Sequence, residues 1–254
     1  MWPACAVLLL LSTAMTASAY RPFVSTDAAA ADPGDVEVEF GVIGFRSGAE
    51  RTSLVAPTII ANLGLPRDLE LVGEFKLVND LSHPDEDSTR FEDTAVSLKW
   101  VAHEGVLQER GTTPSVAVEL SLLVPTLDGQ NRPGGQLVGI MSGVCFGFTY
   151  HLNGGVLVEP SDTSATPVWG VIIEHAVAGG VRAVAEVDGE SGTGTGPDDS
   201  ALIGAIWQVK APPPIRELSF DVGLRHGITH TAAEWAGTAG FTIAFPVVQK
   251  KEQP

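Results

Sequence analysis

The stretch "DLELVGEFKLVND", residues 68–80, decides how this chain folds. Leu69, Leu71, Phe75 and Leu77 fall on alternate positions with Gly73 in the gap, while Glu70, Glu74 and Lys76 stand between them. That is the period of a strand with one apolar and one polar face. A soluble sheet turns the charges to water and the leucines to a core. A membrane barrel does the reverse, with leucines outward to lipid and charges inward to a lumen. Which face is wet therefore sets the architecture.

The same alternation recurs along the chain. "VEVEFGV" sets Val36, Val38, Phe40 and Val42 against Glu37 and Glu39, and "TAVSLKW" sets Val96, Leu98 and Trp100 against Ser97 and Lys99. "VAVELSL" opposes Val116, Val118, Leu120 and Leu122 to Glu119 and Ser121. "VRAVAEV" opposes Val181, Ala183, Ala185 and Val187 to Arg182 and Glu186, and "LSFDVGLR" sets Leu218, Phe220, Val222 and Leu224 against Asp221 and Arg225. Period-two runs bounded by turn residues predict strands at Val36–Phe45, Leu54–Asn62, Leu69–Val78, Thr94–Val101, Val116–Val124, Leu137–Tyr150, Val156–Glu159, Val168–Val177, Val181–Val187, Ala201–Val209, Leu218–Arg225 and Trp235–Phe245. Many approach the roughly 9–11 residues that a tilted strand needs to cross a bilayer.

Connections sort by length. After the second, sixth, eighth and tenth strands they are tight: "LGLPRD", "HLNGG", "AGG" and "APPPI". After the third, fifth, seventh, ninth and eleventh they are mostly longer and polar, such as "NDLSHPDEDSTRFED" and "DGESGTGTGPDD". Outer-membrane barrels distribute periplasmic turns and extracellular loops in this way. The connection after the fourth strand, "AHEGVLQERGTTP", is long on the side of the tight turns.

The polar faces mix both signs of charge and carry small residues (Ser97, Ser121, Gly223, Thr238, Gly240), which suits a crowded lumen better than a solvated surface. Trp100, Trp169, Trp207, Trp235 and Phe245 stand near strand ends, where interfacial aromatic girdles form. The expected fold is all-β, a transmembrane antiparallel up-and-down β-barrel of about 12 strands. Its lumen would be lined by Glu37, Glu39, Glu70, Glu74, Lys76, Lys99, Glu119, Arg182, Glu186, Asp221 and Arg225. The alternative is a secreted β-sandwich with those aromatics in its core, binding a partner without transport.

Composition agrees with export and excludes some classes. A net charge of -16 over 254 residues, with no Lys/Arg cluster, argues against nucleic-acid binding. With 28 Gly and only 18% charged residues, the chain is too apolar for a disordered protein. Residues 1–19, "MWPACAVLLLLSTAMTASA", join an apolar stretch to Ala17-Ser18-Ala19 and read as a signal peptide, so that residues 20–254 form the barrel with a short periplasmic extension after Phe245. Removal of Cys5 leaves Cys145 alone, without a disulfide partner or a thiolate cluster. No later stretch reaches the roughly 18 apolar residues of a spanning helix, so strands must do any spanning.

The mature start "YRPFVSTDAAAADPGDVEVEFGV" and the closing "FDVGLRHGITHTAAEWAGTAGFTIAF" resemble an outer-membrane transporter family named for the MetA pathway of phenol degradation. In that family an R-P-F segment and a P-G precede the first strand, and Asp-x-Gly-x-Arg-x-Gly precedes a Gly-rich last strand. The resemblance implies a barrel that passes small, often hydrophobic or aromatic molecules, without catalytic residues. The chain departs from the family where "PVVQKKEQP" follows Phe245.

Other chemistry is weaker. His226 and His230 have a ligand spacing only on a helix, and they fall at a strand end. His175 follows Glu174, but no nucleophile elbow accompanies them. "GTGTGPDD" lacks the Lys of a phosphate loop and reads as a flexible loop, and Asp85-Glu86-Asp87 and Asp198-Asp199 read as solvated acidic loops. The expectation is a monomer without cofactor or metal. Its partners would be outer-membrane lipid, a small-molecule solute and the barrel-assembly machinery, and no nucleic acid.

Overall fold

Strand β3 (Leu69–Asp80) shows how the alternation is used: Glu70 and Val72 are enclosed while Leu71, between them, is 41% exposed. The computed structural model describes residues 21–48, 51–82, 88–125, 132–160, 164–192 and 196–247. They form twelve antiparallel strands in one closed barrel in which each strand pairs with its sequence neighbours. The others are β1 (Asp35–Ser47), β2 (Thr52–Leu65), β4 (Thr89–His103), β5 (Ser115–Leu123), β6 (Gly134–Cys145), β7 (Phe148–Val158), β8 (Thr166–Ala178), β9 (Val181–Gly192), β10 (Gly196–Val209), β11 (Glu217–Gly227) and β12 (Trp235–Pro246).

Closure is made by β1 on β12, with Val36 opposite Phe245 and Phe40 opposite Phe241, whose rings stack 5.5 Å apart. A closed sheet leaves no edge strand to cover. It also replaces the two-sheet sandwich considered from the sequence.

Several boundaries differ from the sequence reading: β4, expected from Thr94, already starts at Thr89 within the anticipated loop, and two further connections differ for identifiable reasons. The run Leu137–Tyr150 is broken at Phe146-Gly147, both at positive φ (51° and 81°), so β6 and β7 join by a two-residue hairpin turn. A Phe at the left-handed position hides this turn, which Asn would have advertised. Conversely "HLNGG", expected as a turn, lies inside β7. Gly155 is there for space, since a Cβ would collide with the carbonyl of Leu137. At the opposite end the strands outrun the expectation: β9 continues to Gly192, and β10 starts at Gly196, absorbing Asp198 and Asp199 from the anticipated loop. Asp85-Glu86-Asp87 lies outside the described residues.

The barrel thus has a turn end, where β2–β3, β6–β7, β8–β9 and β10–β11 connect, and a loop end. The long connection after β4 folds at the turn end as a short 3-10 helix, Val106–Gln108. Its length is explained by what it covers.

Candidate functional site: the inner wall and its collar

Residues 21–34 precede β1 and do not leave the barrel. They enter it at the turn end and run round the inside of the wall. Backwards from Gly34, whose N–H reaches the carbonyl of Gly64, the chain meets the strands almost in order. Ala31 N–H donates to Glu70 Oε2 on β3 (2.6 Å), and Ala28 N–H to Ser142 Oγ on β6 (2.9 Å). Thr26 N–H donates to Asn153 Oδ1 on β7, while Asn153 Nδ2 returns a bond to the Thr26 carbonyl (2.7 Å). Ser25 N–H donates to Glu186 Oε1 on β9 (2.7 Å), which Val24 N–H also reaches (3.2 Å). Arg21 N–H donates to Glu39 Oε2 on β1 (2.8 Å), back beside the strand on which the segment began. The segment is a collar that climbs from the turn end to mid-height.

Side chains fasten it at both ends. The Arg21 guanidinium pairs with Asp221 Oδ1 of β11 (3.3 Å) and bonds Thr238 of β12. A Cβ at Gly41 would lie 2.5 Å from Arg21 Nη1, and one at Gly240 2.7 Å from Arg21 Nε, so the wall is bare where the guanidinium sits. Gly223 makes the same room for Pro22. Arg225, paired with Glu186, holds the carboxylate that takes the Val24 and Ser25 N–H groups. Near the turn end Lys99 Nζ stands 3.6 Å from Glu70 and 3.7 Å from Asp27, with none of the three open to solvent. Ala28 packs with Val101, Ala117 and Ile140, and Phe23 against Val184, Leu202 and Ile206. Gln108 of the 3-10 helix donates to the Ala28 carbonyl (2.8 Å), so the long β4–β5 connection clamps the collar from below.

The residues expected from sequence to line a lumen fall as follows. Glu37, Glu39, Glu70, Lys99 and Glu186 are no more than 2% exposed, and Arg182 and Asp221 are also buried. Glu119 and Arg225 are half-buried. Glu74 and Lys76, half-buried nearer the loop end, pair with each other at 3.3 Å, and Lys76 reaches Asp93 at 2.9 Å. Among the described residues, carboxylates outnumber cations on this enclosed side. Trp100 and Trp207 are exposed toward the turn end and Trp169 and Trp235 toward the loop end, while Phe245 is half-buried near the turn end.

Sequence reasoning did not assign the collar or its holders Ser142, Asn153 and Gln108. The one available signal was the pairing of R-P-F with Asp-x-Gly-x-Arg, whose partners meet here. Nor does the sequence single out His151: its Nδ1 lies 2.8 Å from Ser142 Oγ and its Nε2 3.1 Å from Glu174 Oε1, and Arg182 pairs with the same carboxylate at 2.9 Å. His175, considered beside Glu174, points to the outer face and packs on Phe148. His226 stacks on Trp235 at the strand end, 4.4 Å between rings. The interior keeps solvent-sized space, because Val24, toward the end of the collar at mid-barrel, is 69% exposed.

No family model matches the chain, and no curated protein matches it. Among solved structures, the crystal structure of an outer membrane channel from Pseudomonas putida F1 aligns with a TM-score of 0.58 at 12% identity, covering 86% of this chain and 98% of that one. A second, from work on in-meso crystallisation of membrane proteins, aligns at a TM-score of 0.41 and 10% identity. The fold is thus one that an outer-membrane channel also adopts.

Proposed function

We propose that the chain is an outer-membrane channel for small solutes, constricted by its own N-terminal collar. The observation that carries this reading is the inverted polarity of the wall. Charged residues such as Glu39, Glu70 and Lys99 are at 0% exposure, while Leu120 and Ile203 stand at 60% and 68% on the outer face. A water-soluble protein does not present such an apolar belt on all sides, whereas lipid requires it. The tryptophans at both ends fit interfacial girdles. In this reading the turn end faces the periplasm, the leader is removed by signal peptidase, and the barrel works as a monomer in lipid after insertion by the assembly machinery. No catalytic role is assigned to any residue in this reading.

The family resemblance lies in the collar and the hairpin it touches, and implies hydrophobic solutes. The enclosed charge supports a small polar solute instead, with excess carboxylate disfavouring anions. Reconstitution in planar bilayers tests this. Joining the leader to Asp32, so that residues 20–31 are missing, is expected to raise single-channel conductance severalfold with cation preference. A folded, inserted barrel that stays silent with and without the collar overturns the reading.

A further inference from the structure

We infer that the inner wall is a binding track for short peptides led by a basic residue, with the collar as its resident occupant. The wall recognises the collar chiefly through its backbone. Glu39, Glu186, Asn153, Ser142 and Glu70 each accept a main-chain N–H, and Asn153 and Gln108 donate to main-chain carbonyls. Every residue except proline offers the same N–H, so these bonds select chain conformation and not sequence. Ala28–Ala31 bring no side-chain hydrogen-bonding group, yet the wall holds both ends of that run.

Sequence is read at three points, one of them Lys99, which faces the Asp27 carboxylate and the Thr26 hydroxyl. The Asp221–Thr238 pair, with the bare wall at Gly41 and Gly240, fits a guanidinium at the leading residue. The Val184, Leu202 and Ile206 cluster takes an apolar side chain two residues on. A solute that offers acceptors alone would meet carboxylates with nothing to donate. A peptide with a basic head that follows the collar's path offers each of these acceptors a donor. The site is a property of the wall and does not depend on conduction.

The test uses the barrel lacking residues 20–31 in detergent, its folding checked by heat-modifiable mobility. Fluorescently labelled peptide of residues 21–31, RPFVSTDAAAA, is the probe, read by anisotropy. Saturable binding is expected. It should be competed by a peptide of the same length that keeps the leading Arg-Pro-Phe and the Thr26-Asp27 pair and scrambles the rest. N-methylation at the positions of Ser25 and Ala28 should weaken binding roughly tenfold or more, the loss of two such hydrogen bonds. Absence of binding, equal affinity of the N-methylated peptide, or equal competition by guanidinium alone at the peptide's concentration would overturn the inference. Should the shortened barrel fail to fold, a protease site inserted between Ala31 and Asp32 of the full chain allows the collar to be cut after folding. Labelled peptide is then expected to exchange for the cut segment, and a cut barrel that takes up none overturns the inference equally. Conductance recorded on the same samples separates this outcome from failure of the channel reading, since peptide binding to a silent barrel sinks only the latter.

Discussion

Arg21 occupies a position that four other residues were shaped to fit. Its guanidinium and the Asp221 carboxylate are both buried, Thr238 bonds it, and Gly41 and Gly240 leave the volume it fills. A buried charge is tolerable only when paired. Arg21→Ala leaves Asp221 enclosed without its partner, and the cheapest relief is release of the collar into water so that the carboxylate is hydrated. Hydrogen exchange at the Ser25 and Ala28 amides is therefore expected to accelerate by roughly tenfold or more in Arg21→Ala, while the barrel amides stay protected. Arg21→Lys should fall between, because an ammonium keeps the charge and loses the forked geometry. Unchanged exchange in Arg21→Ala would show that the backbone bonds and the Phe23, Asp27 and Ala28 contacts hold the collar without Arg21. At this scale burial alternates at the start of β3, where Glu70 is enclosed and Leu71 exposed, whereas Val72 and Val78 are enclosed although apolar. The collar was illegible because "VSTDAAAAD" has no period of its own: its order is imposed by the wall.

Among the elements, the β6–β7 hairpin shows what sequence reasoning could and could not reach. Twelve strands are countable from the sequence, yet β7 is read there only from Val156, and the sequence signal for the turn before it stands at Asn153-Gly154-Gly155, well inside that strand. Asn-Gly is a strong hairpin signal, and here it is spent within β7, where Asn153 grips the collar and Gly155 lets β6 approach. The actual turn uses Phe146 at φ 51°, 96% exposed at the tip. An L-residue with a bulky side chain costs about 1–2 kcal/mol in that conformation, and Asn less. Phe146→Asn is thus expected to stabilise the barrel by about 1 kcal/mol, read as a higher urea midpoint in detergent. A lower midpoint would mean that the Phe146 ring makes contacts outweighing its backbone cost. The β4–β5 connection teaches the complementary lesson. Its excess length broke the sorting of loops in the sequence, and it is accounted for by Gln108 reaching the collar.

For the whole molecule, everything turns on which side of the wall is wet. The closed barrel puts Leu71 and Glu74, an odd number of positions apart on β3, on opposite faces. If the outer face meets lipid, Leu71→Arg places a charge in the apolar belt at a cost of roughly 2–4 kcal/mol, whereas Glu74→Gln keeps a polar group on the enclosed side. Loss of assembly in Leu71→Arg alone agrees with a bilayer without proving it, since a charge forced against any apolar partner is harmful. Single cysteines decide it. In a Cys145→Ala background, a fluorophore attached at position 71 of the barrel reconstituted in vesicles is expected to be quenched by a lipid-phase quencher and not by a water-soluble one. A label at position 74 should show the opposite, since Glu74, half-buried nearer the loop end, is itself partly open to solvent. Quenching from water at both positions, with the heat-modifiable barrel intact, would mean that the apolar belt is covered by protein and not by lipid.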